Sequence, residues 1–156
     1  TSSMGRLFDA VSSLMGIRQH VTYEGQAAIE LEKMVAPDES SSYKIEIMDD
    51  IINSLGLMTQ IHNDLNNGID KTIIAAKFHN SIASICLDVC SLIRSDLGLG
   101  RVALSGGVWQ NTTLLMKTSN LLRKEGFQVL IHRQVPANDG GIALGQLMIA
   151  DAILKN

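Results

Sequence analysis

Paired glycines, one asparagine and one or two aspartates are the residues of this sequence best suited to chemistry. Arg101-Val-Ala-Leu-Ser-Gly-Gly-Val-Trp-Gln-Asn111 and Val135-Pro-Ala-Asn-Asp-Gly-Gly-Ile-Ala-Leu-Gly-Gln146 each run through a glycine pair into a helix-period segment. A glycine pair at a helix entrance lets backbone N–H groups come closer to an anion than any side chain would allow, and the helix N-terminus adds positive partial charge. Two such entrances in one α/β unit point to a nucleotide phosphate site. Gly106 and Gly107 lack the Gly-Lys-Ser/Thr of a Walker loop and the third glycine of a dinucleotide fingerprint, so a ligand-free turn accounts for them equally well.

Asn111 stands where its side chain caps the next helix, and where it can also reach a ribose or phosphate. Asp139 offers a similar choice between an N-cap of the last helix and a carboxylate ligand for a metal that neutralises phosphate oxygens. Asp9 has a similar ambiguity: it lies off the apolar stripe of its helix, and an i, i+3 pair with Arg6 is the plain alternative to a site role. His20, His62, His79 and His132 share no ligand spacing and read as core, capping or surface residues. Cys86 and Cys90, four apart in a helical pattern, read as reduced, buried thiols rather than a metal pair, because no third ligand stands near them. Glu24, Glu30 and Glu32 read as the solvated side of a helix.

The elements that must hold these residues follow from periodicity. Leu7, Phe8, Val11, Leu14 and Met15 form one stripe and predict a helix over 3–15, with Ser2 or Ser3 at its start and Gly16 at its end. A second helix runs from Gly25 or Gln26 to about Val35, burying Ala28, Leu31, Met34 and Val35. After the loop 37–42, alternation of Tyr43, Ile45 and Ile47 predicts a short strand, and Asp49 or Asp50 is placed to cap a helix reaching Leu65, with Gly56 as its weak point. The longest helix spans 70–96 on Ile74, Phe78, Ile82, Ile85, Val89 and Leu92, and near-continuous apolarity over 82–92 predicts cover on more than one side. Strand 102–104, the glycine turn, helix 112–124, strand 128–132 and a helix opened by Gly140 and Gly141 complete an α/β unit with a parallel strand pair.

Composition bounds the function. The chain has 156 residues, 46% of them hydrophobic, enough for one core. Its net charge of −3, with scattered cations, provides no footprint for nucleic acid. No uninterrupted apolar run reaches the roughly 20 residues that span a bilayer, and no basic-then-apolar leader opens the sequence, so a cytoplasmic setting without membrane contact is expected.

Beyond these readings, five ordered segments carry a likeness. Thr1-Ser-Ser-Met-Gly-Arg-Leu-Phe-Asp-Ala-Val11, Tyr23-Glu-Gly-Gln-Ala-Ala-Ile-Glu-Leu-Glu32, Ala75-Ala-Lys-Phe-His79, Leu104-Ser-Gly-Gly-Val-Trp-Gln-Asn111 and the 135–146 segment resemble the C-terminal part of the HypF carbamoyltransferases of nickel-iron hydrogenase maturation. The resemblance implies a TsaD-like α/β fold of the actin-like ATPase and sugar-kinase type, with 1–156 a single partial domain forming its second, C-terminal lobe. It implies that Asp9 contacts the nucleoside with Gly25 beside it, that Gly106 and Gly107 face the phosphates of ATP or a carbamoyl-adenylate, that Asn111 contacts the nucleotide, and that Asp139 is a ligand of a divalent metal. His79 also matches and reads as structural. The two histidines that complete the family's metal site, and the acylphosphatase-like, zinc-finger and YrdC-like regions, are not in this sequence.

The expected partners are therefore a HypE-like acceptor, whose C-terminal cysteine receives the carbamoyl group, and upstream domains or an N-terminal lobe. The chain alone is expected to be inactive. Competing readings are a TsaD-like tRNA threonylcarbamoyl transferase, which calls for a basic surface, and a non-catalytic interaction module or fragment that forms a homodimer through its uncovered face.

Overall fold

The computed structural model describes residues 3–48 and 51–155. Helix α1 (Met4–Leu14) forms on the predicted stripe, with Ser3 in extended conformation at its N-cap and Gly16, at φ 63°, turning the chain beyond it. It buries Phe8 and Val11 against α2 (Gln26–Lys33), which contributes Ala27 and Leu31. Helix α2 stops two residues before the expected Val35, and Met34 and Val35 are only partly buried.

The strand predicted over 43–47 shrinks to β1 (Ile47–Met48), which pairs antiparallel with β2 (Ile51–Ile52). Residues 43 and 44 join no strand, and side chains take their backbone groups: the Tyr43 N–H donates to Ser81 Oγ at 2.7 Å, and the Lys44 carbonyl accepts from Gln60 at 2.8 Å. A backbone satisfied in this way needs no ladder. Tyr43 still points inward and its hydroxyl donates to Asp64 at 2.8 Å, while the Lys77 ammonium bonds the same carboxylate oxygen at 2.5 Å and lies over the Tyr43 ring.

Helix α3 (Ser54–Asn66) starts later than expected, because Asn53 caps it by accepting from the Gly56 N–H at 3.2 Å. Gly56 thus sits in the first turn and breaks nothing. The proposed caps Asp49 and Asp50 lie outside the described residues, as does Ser2. Helix α4 (Lys71–Leu97) matches its prediction within a residue at each end: Asp70 caps it through the Thr72 N–H, and Gly98 closes it in left-handed conformation.

Helix α4 is the axis of the core. Ile74, Ala75, Phe78, Ile82 and Ala83 bury between α1, α3 and α5, joined by Leu57, Ile61 and Leu114. By length and mean hydropathy α4 is apolar enough to cross a membrane, contrary to the expectation from uninterrupted runs, but most of that stretch is buried in protein. Cover on several sides holds only to about Ile85, for Leu92, Ile93 and Leu97 are exposed. A second cluster of Leu104, Leu122 and Phe127 fills the α/β unit, with the Arg94 guanidinium over the Phe127 ring.

That unit is built as predicted. β3 (Arg101–Leu104) and β4 (Gln128–Ile131) pair in parallel register, Arg101 with Gln128 through Leu104 with Ile131, across α5 (Thr112–Lys124). The last helix, α6 (Ile142–Leu154), has no buried residue.

Candidate functional site

The site forms where β3 ends. In open α/β sheets, ligands bind beyond the carboxyl ends of parallel strands, and both glycine segments begin there. After Ser105 the chain passes through Gly106 at φ 107°, ψ 160°, a conformation open essentially to glycine alone. A 3-10 turn over Gly107–Gln110 follows, and then Asn111 starts α5. A Cβ on Gly106 would meet nothing within 4 Å, so the backbone conformation demands the glycine and the space beside it is open.

The second glycine pair stands against the first. The Gly106 N–H donates to the Ala137 carbonyl at 2.8 Å, tying the two segments together, and a Cβ on Gly107 would lie 4.0 Å from the Asn138 Cβ. A Cβ on Gly141 would fall 2.7 Å from the Pro136 carbonyl oxygen, so only glycine fits there. The amides of Gly107 and Val108 donate to no acceptor among the described residues. Two helix entrances far apart in sequence therefore share one place, with uncommitted donors at the first of them.

Asn111 is 8% exposed and is the cap that its position predicted. Its Oδ1 accepts from the Leu114 N–H at 2.8 Å, and its Nδ2 lies 3.0 Å from Nε2 of His79. His79 is fully buried in α4, with Nδ1 2.8 Å from the Ala75 carbonyl oxygen, and its ring packs edge-on to those of Phe8 and Phe78. A carbonyl only accepts, so Nδ1 carries the proton and Nε2 is the acceptor for Asn111. Burial lowers the pKa of His79, the Ala75 contact opposing it.

Asp9 and Gly25 are linked to the area only through the helices they stand on. Helix α1 touches both α2 and the 3-10 turn of the glycine segment. Asp9 pairs with Arg6 at 3.1 Å on an exposed face, as its spacing predicted. Gly25, at φ 77°, begins α2, and its carbonyl accepts from the Ile29 N–H. The loop before it is fastened by a two-bond fork from Arg18 to Glu30, at 2.8 and 2.6 Å, and by Gln26, which bonds both Thr22 and Glu30.

The reading of Glu30 and Glu32 as solvated is corrected here. The Arg18 bond holds the Glu30 carboxyl below the ordinary range against partial desolvation, and Glu32 accepts from both Thr112 Oγ1 and the Thr113 N–H at 2.9 Å. A carboxylate from α2 thus caps α5, which helix periodicity alone cannot reveal.

Asp139 is not the cap of the last helix. Helix α6 starts from Gly141 with no side-chain cap, and Asn138 instead caps the short 3-10 turn Asp139–Gly141 before it, its Oδ1 accepting from the Gly140 N–H at 3.1 Å. The Asp139 side chain is exposed, and no hydrogen bond or ion pair engages its carboxylate among the described residues. No three His, Cys, Asp or Glu side chains converge there either. Among the described residues the donor set at this turn amounts to a single carboxylate, which does not by itself make a metal site.

Two further features went unread in the sequence. His132 Nε2 lies 3.0 Å from Ser105 Oγ, a polar pair at the carboxyl ends of the parallel strands, invisible until β3 and β4 are set side by side. Behind the turn an apolar pocket of about 220 Å³ is lined by Cys86, Cys90, Leu104, Trp109 and Leu122 among others. Both cysteines are free, and burial, with the neighbouring Cys90 adding to it, pushes the Cys86 thiol up to about 11.

Comparison with known proteins gives this geometry a family. Residues 1–146 match the family described as carbamoyltransferase, Kae1-like domain, second subdomain. The chain is 39% identical over 151 residues to carbamoyltransferase HypF of Synechocystis sp., covering 95% of this chain and 19% of that protein. It is 35% identical over 158 residues to the probable carbamoyltransferase HypF of Methanocaldococcus jannaschii, covering 100% of this chain and 20% of that one. A crystal structure of full-length HypF in a phosphate- and nucleotide-bound form superposes with a TM-score of 0.94 at 45% identity, over 99% of this chain and 21% of its own. The chain thus spans about a fifth of the length of these relatives, which carry other domains besides. With its α/β architecture, ordered glycine turns and near-complete match to the second Kae1-like subdomain, this chain belongs to the HypF carbamoyltransferase family.

Proposed function

We propose that this chain is the nucleotide-holding lobe of a larger enzyme that moves a carbamoyl group from carbamoyl-adenylate to the C-terminal cysteine of a HypE-like acceptor. The observation that carries the reading is the junction of the two glycine segments through Gly106 and Ala137, with the Gly107 and Val108 amides uncommitted at a helix entrance. A relative solved with phosphate and nucleotide supports it. The net charge of −3 does not favour the tRNA-modifying alternative.

In this reaction the acceptor thiolate attacks the carbamoyl carbon, a carbon–sulfur bond forms, and the carbon–oxygen bond to the adenylate phosphate breaks, the leaving AMP keeping the electron pair. Attack on a mixed anhydride requires alignment and stabilisation of phosphate charge more than a strong base. The amides of Gly107 and Val108 supply that stabilisation, Asn111 holds the nucleotide, and Asp9 and Gly25 meet the nucleoside. Asp139 contributes one carboxylate to a divalent cation whose other ligands come from outside this chain. No step of the transfer is assigned to that ion.

Gly107 provides the test. Its φ is not positive and a Cβ there meets only Asn138, at 4.0 Å, so the backbone accepts a side chain, and valine would carry that side chain into the phosphate position. In the whole carbamoyltransferase, Gly107→Val is expected to weaken ADP binding at least about tenfold by calorimetry, with the thermal midpoint nearly unchanged. Unchanged affinity would remove the phosphate assignment. Asp139→Ala is expected to weaken divalent-cation binding by the whole carbamoyltransferase at least about tenfold by calorimetry without loss of thermal stability, since its carboxylate has no partner among the described residues to lose.

A further inference from the structure

The amide of Asn111 has its two ends fixed by different elements. Oδ1 is committed to the Leu114 N–H at the start of α5, and one Nδ2 proton is committed to Nε2 of His79 in the middle of α4. The lone pair on Nε2 is available only because the Ala75 carbonyl claims the proton on Nδ1. Helix α4 therefore dictates which way the amide faces. With these commitments made, Asn111 retains one Nδ2 proton and one Oδ1 lone pair, and the proton is a donor suited to a phosphate or ribose oxygen.

We propose that His79 is a positioning residue of the nucleotide site: its buried Nε2 locks the Asn111 amide with the oxygen on the α5 cap and one N–H left over for the nucleotide. The proposal rests on the reading that Asn111 contacts the nucleotide. The rings of Phe8 and Phe78, at 5.3 and 5.7 Å between centroids and nearly perpendicular to the imidazole, hold His79 in place. Because Phe8 precedes Asp9 on α1, the same contact sets α1 against the site. Without an acceptor at position 79 the buried Nδ2 proton would be unpaired, and the amide would have to choose between its cap and its ligand.

The whole carbamoyltransferase carrying His79→Leu, His79→Gln or Asn111→Ala tests this, with ADP affinity by calorimetry, thermal midpoints and nitrogen-15 imidazole spectra as readouts. His79→Leu is expected to lose about tenfold or more in ADP affinity, while His79→Gln, whose amide oxygen can still accept from Asn111, stays within about threefold of wild type. If folded His79→Leu binds as wild type, or if the glutamine variant loses as much as the leucine variant, the positioning role is overturned. Asn111→Ala separates the two layers. Wild-type affinity in that variant removes the contact between Asn111 and nucleotide, whereas a loss there with none in His79→Leu overturns only the role of His79. Should His79→Leu fail to fold, the glutamine variant and the ring spectrum decide: a neutral ring protonated on Nδ1 is expected, and a proton on Nε2 would overturn the proposal.

Discussion

Asp64, Lys77 and Tyr43 make a half-buried cluster that no short-range spacing announces, since its members come from α3, α4 and the segment between α2 and β1. Burial raises the Asp64 pKa, but the hydrogen bonds from Lys77 and Tyr43 outweigh it and hold the carboxyl below the ordinary range. A depressed pKa in the folded state contributes stability above the unfolded value, about 3.9, that is lost as pH falls through the folded value. The urea midpoint is therefore expected to fall as pH drops from about 5 through the folded value, and Asp64→Asn to flatten that fall. An unchanged slope in the variant would remove Asp64 as a source of the acid sensitivity. At the same scale, Asn111 as a cap and the Arg6–Asp9 pair were legible because both are contacts within four residues. The links from Glu30 to Arg18, Glu32 to Thr113, His79 to Asn111 and Asp64 to Lys77 were not, because those partners lie 12 or more residues away.

Elements were most legible where apolar period, cap and glycine agreed. Helices α1, α4 and α5 and the parallel pair β3–β4 match their predicted spans closely, and Asp70, Gly98 and Gly126 mark ends that local chemistry dictates. The strand at 43–47 was lost to side-chain partners, and the start of α3 to Asn53, which competes as a cap. What sequence could not set is how helices lean on one another. Glu32 makes one such link by capping α5 from α2, so Glu32→Ala is expected to cost about 1 kcal/mol, the usual worth of a lost N-cap, by chemical unfolding. Since α2 begins at Gly25 and α5 follows the Gly106–Gly107 turn, the same variant is expected to weaken nucleotide binding modestly. A fully additive double variant with Thr113→Pro, which removes the N–H that Glu32 accepts, would show that the two residues are not coupled.

For the whole molecule, α6 is the feature that reaches beyond the chain. Leu147 at 67% and Leu154 at 86% exposure, with Ile142, Met148, Ile149 and Ile153 also exposed, leave an apolar helix uncovered. A helix apolar all round belongs inside a larger body. The chain alone is expected to self-associate as concentration rises, by sedimentation. Removing residues 142–155 is expected to suppress that association while moving the thermal midpoint by only about 2–4 °C, because α6 buries nothing in the core. A monodisperse monomer at all concentrations would refute the account. By itself the sequence determined the local structure and the family's glycine motifs, because helix period, caps and positive-φ glycines act within a few residues. Only the tertiary structure decided that the two glycine segments meet through Gly106 and Ala137, that Glu32 caps a distant helix, and that His79 holds Asn111. These contacts join residues 31 to 81 positions apart, and such pairings become favourable only once the core around α4 has brought their elements together.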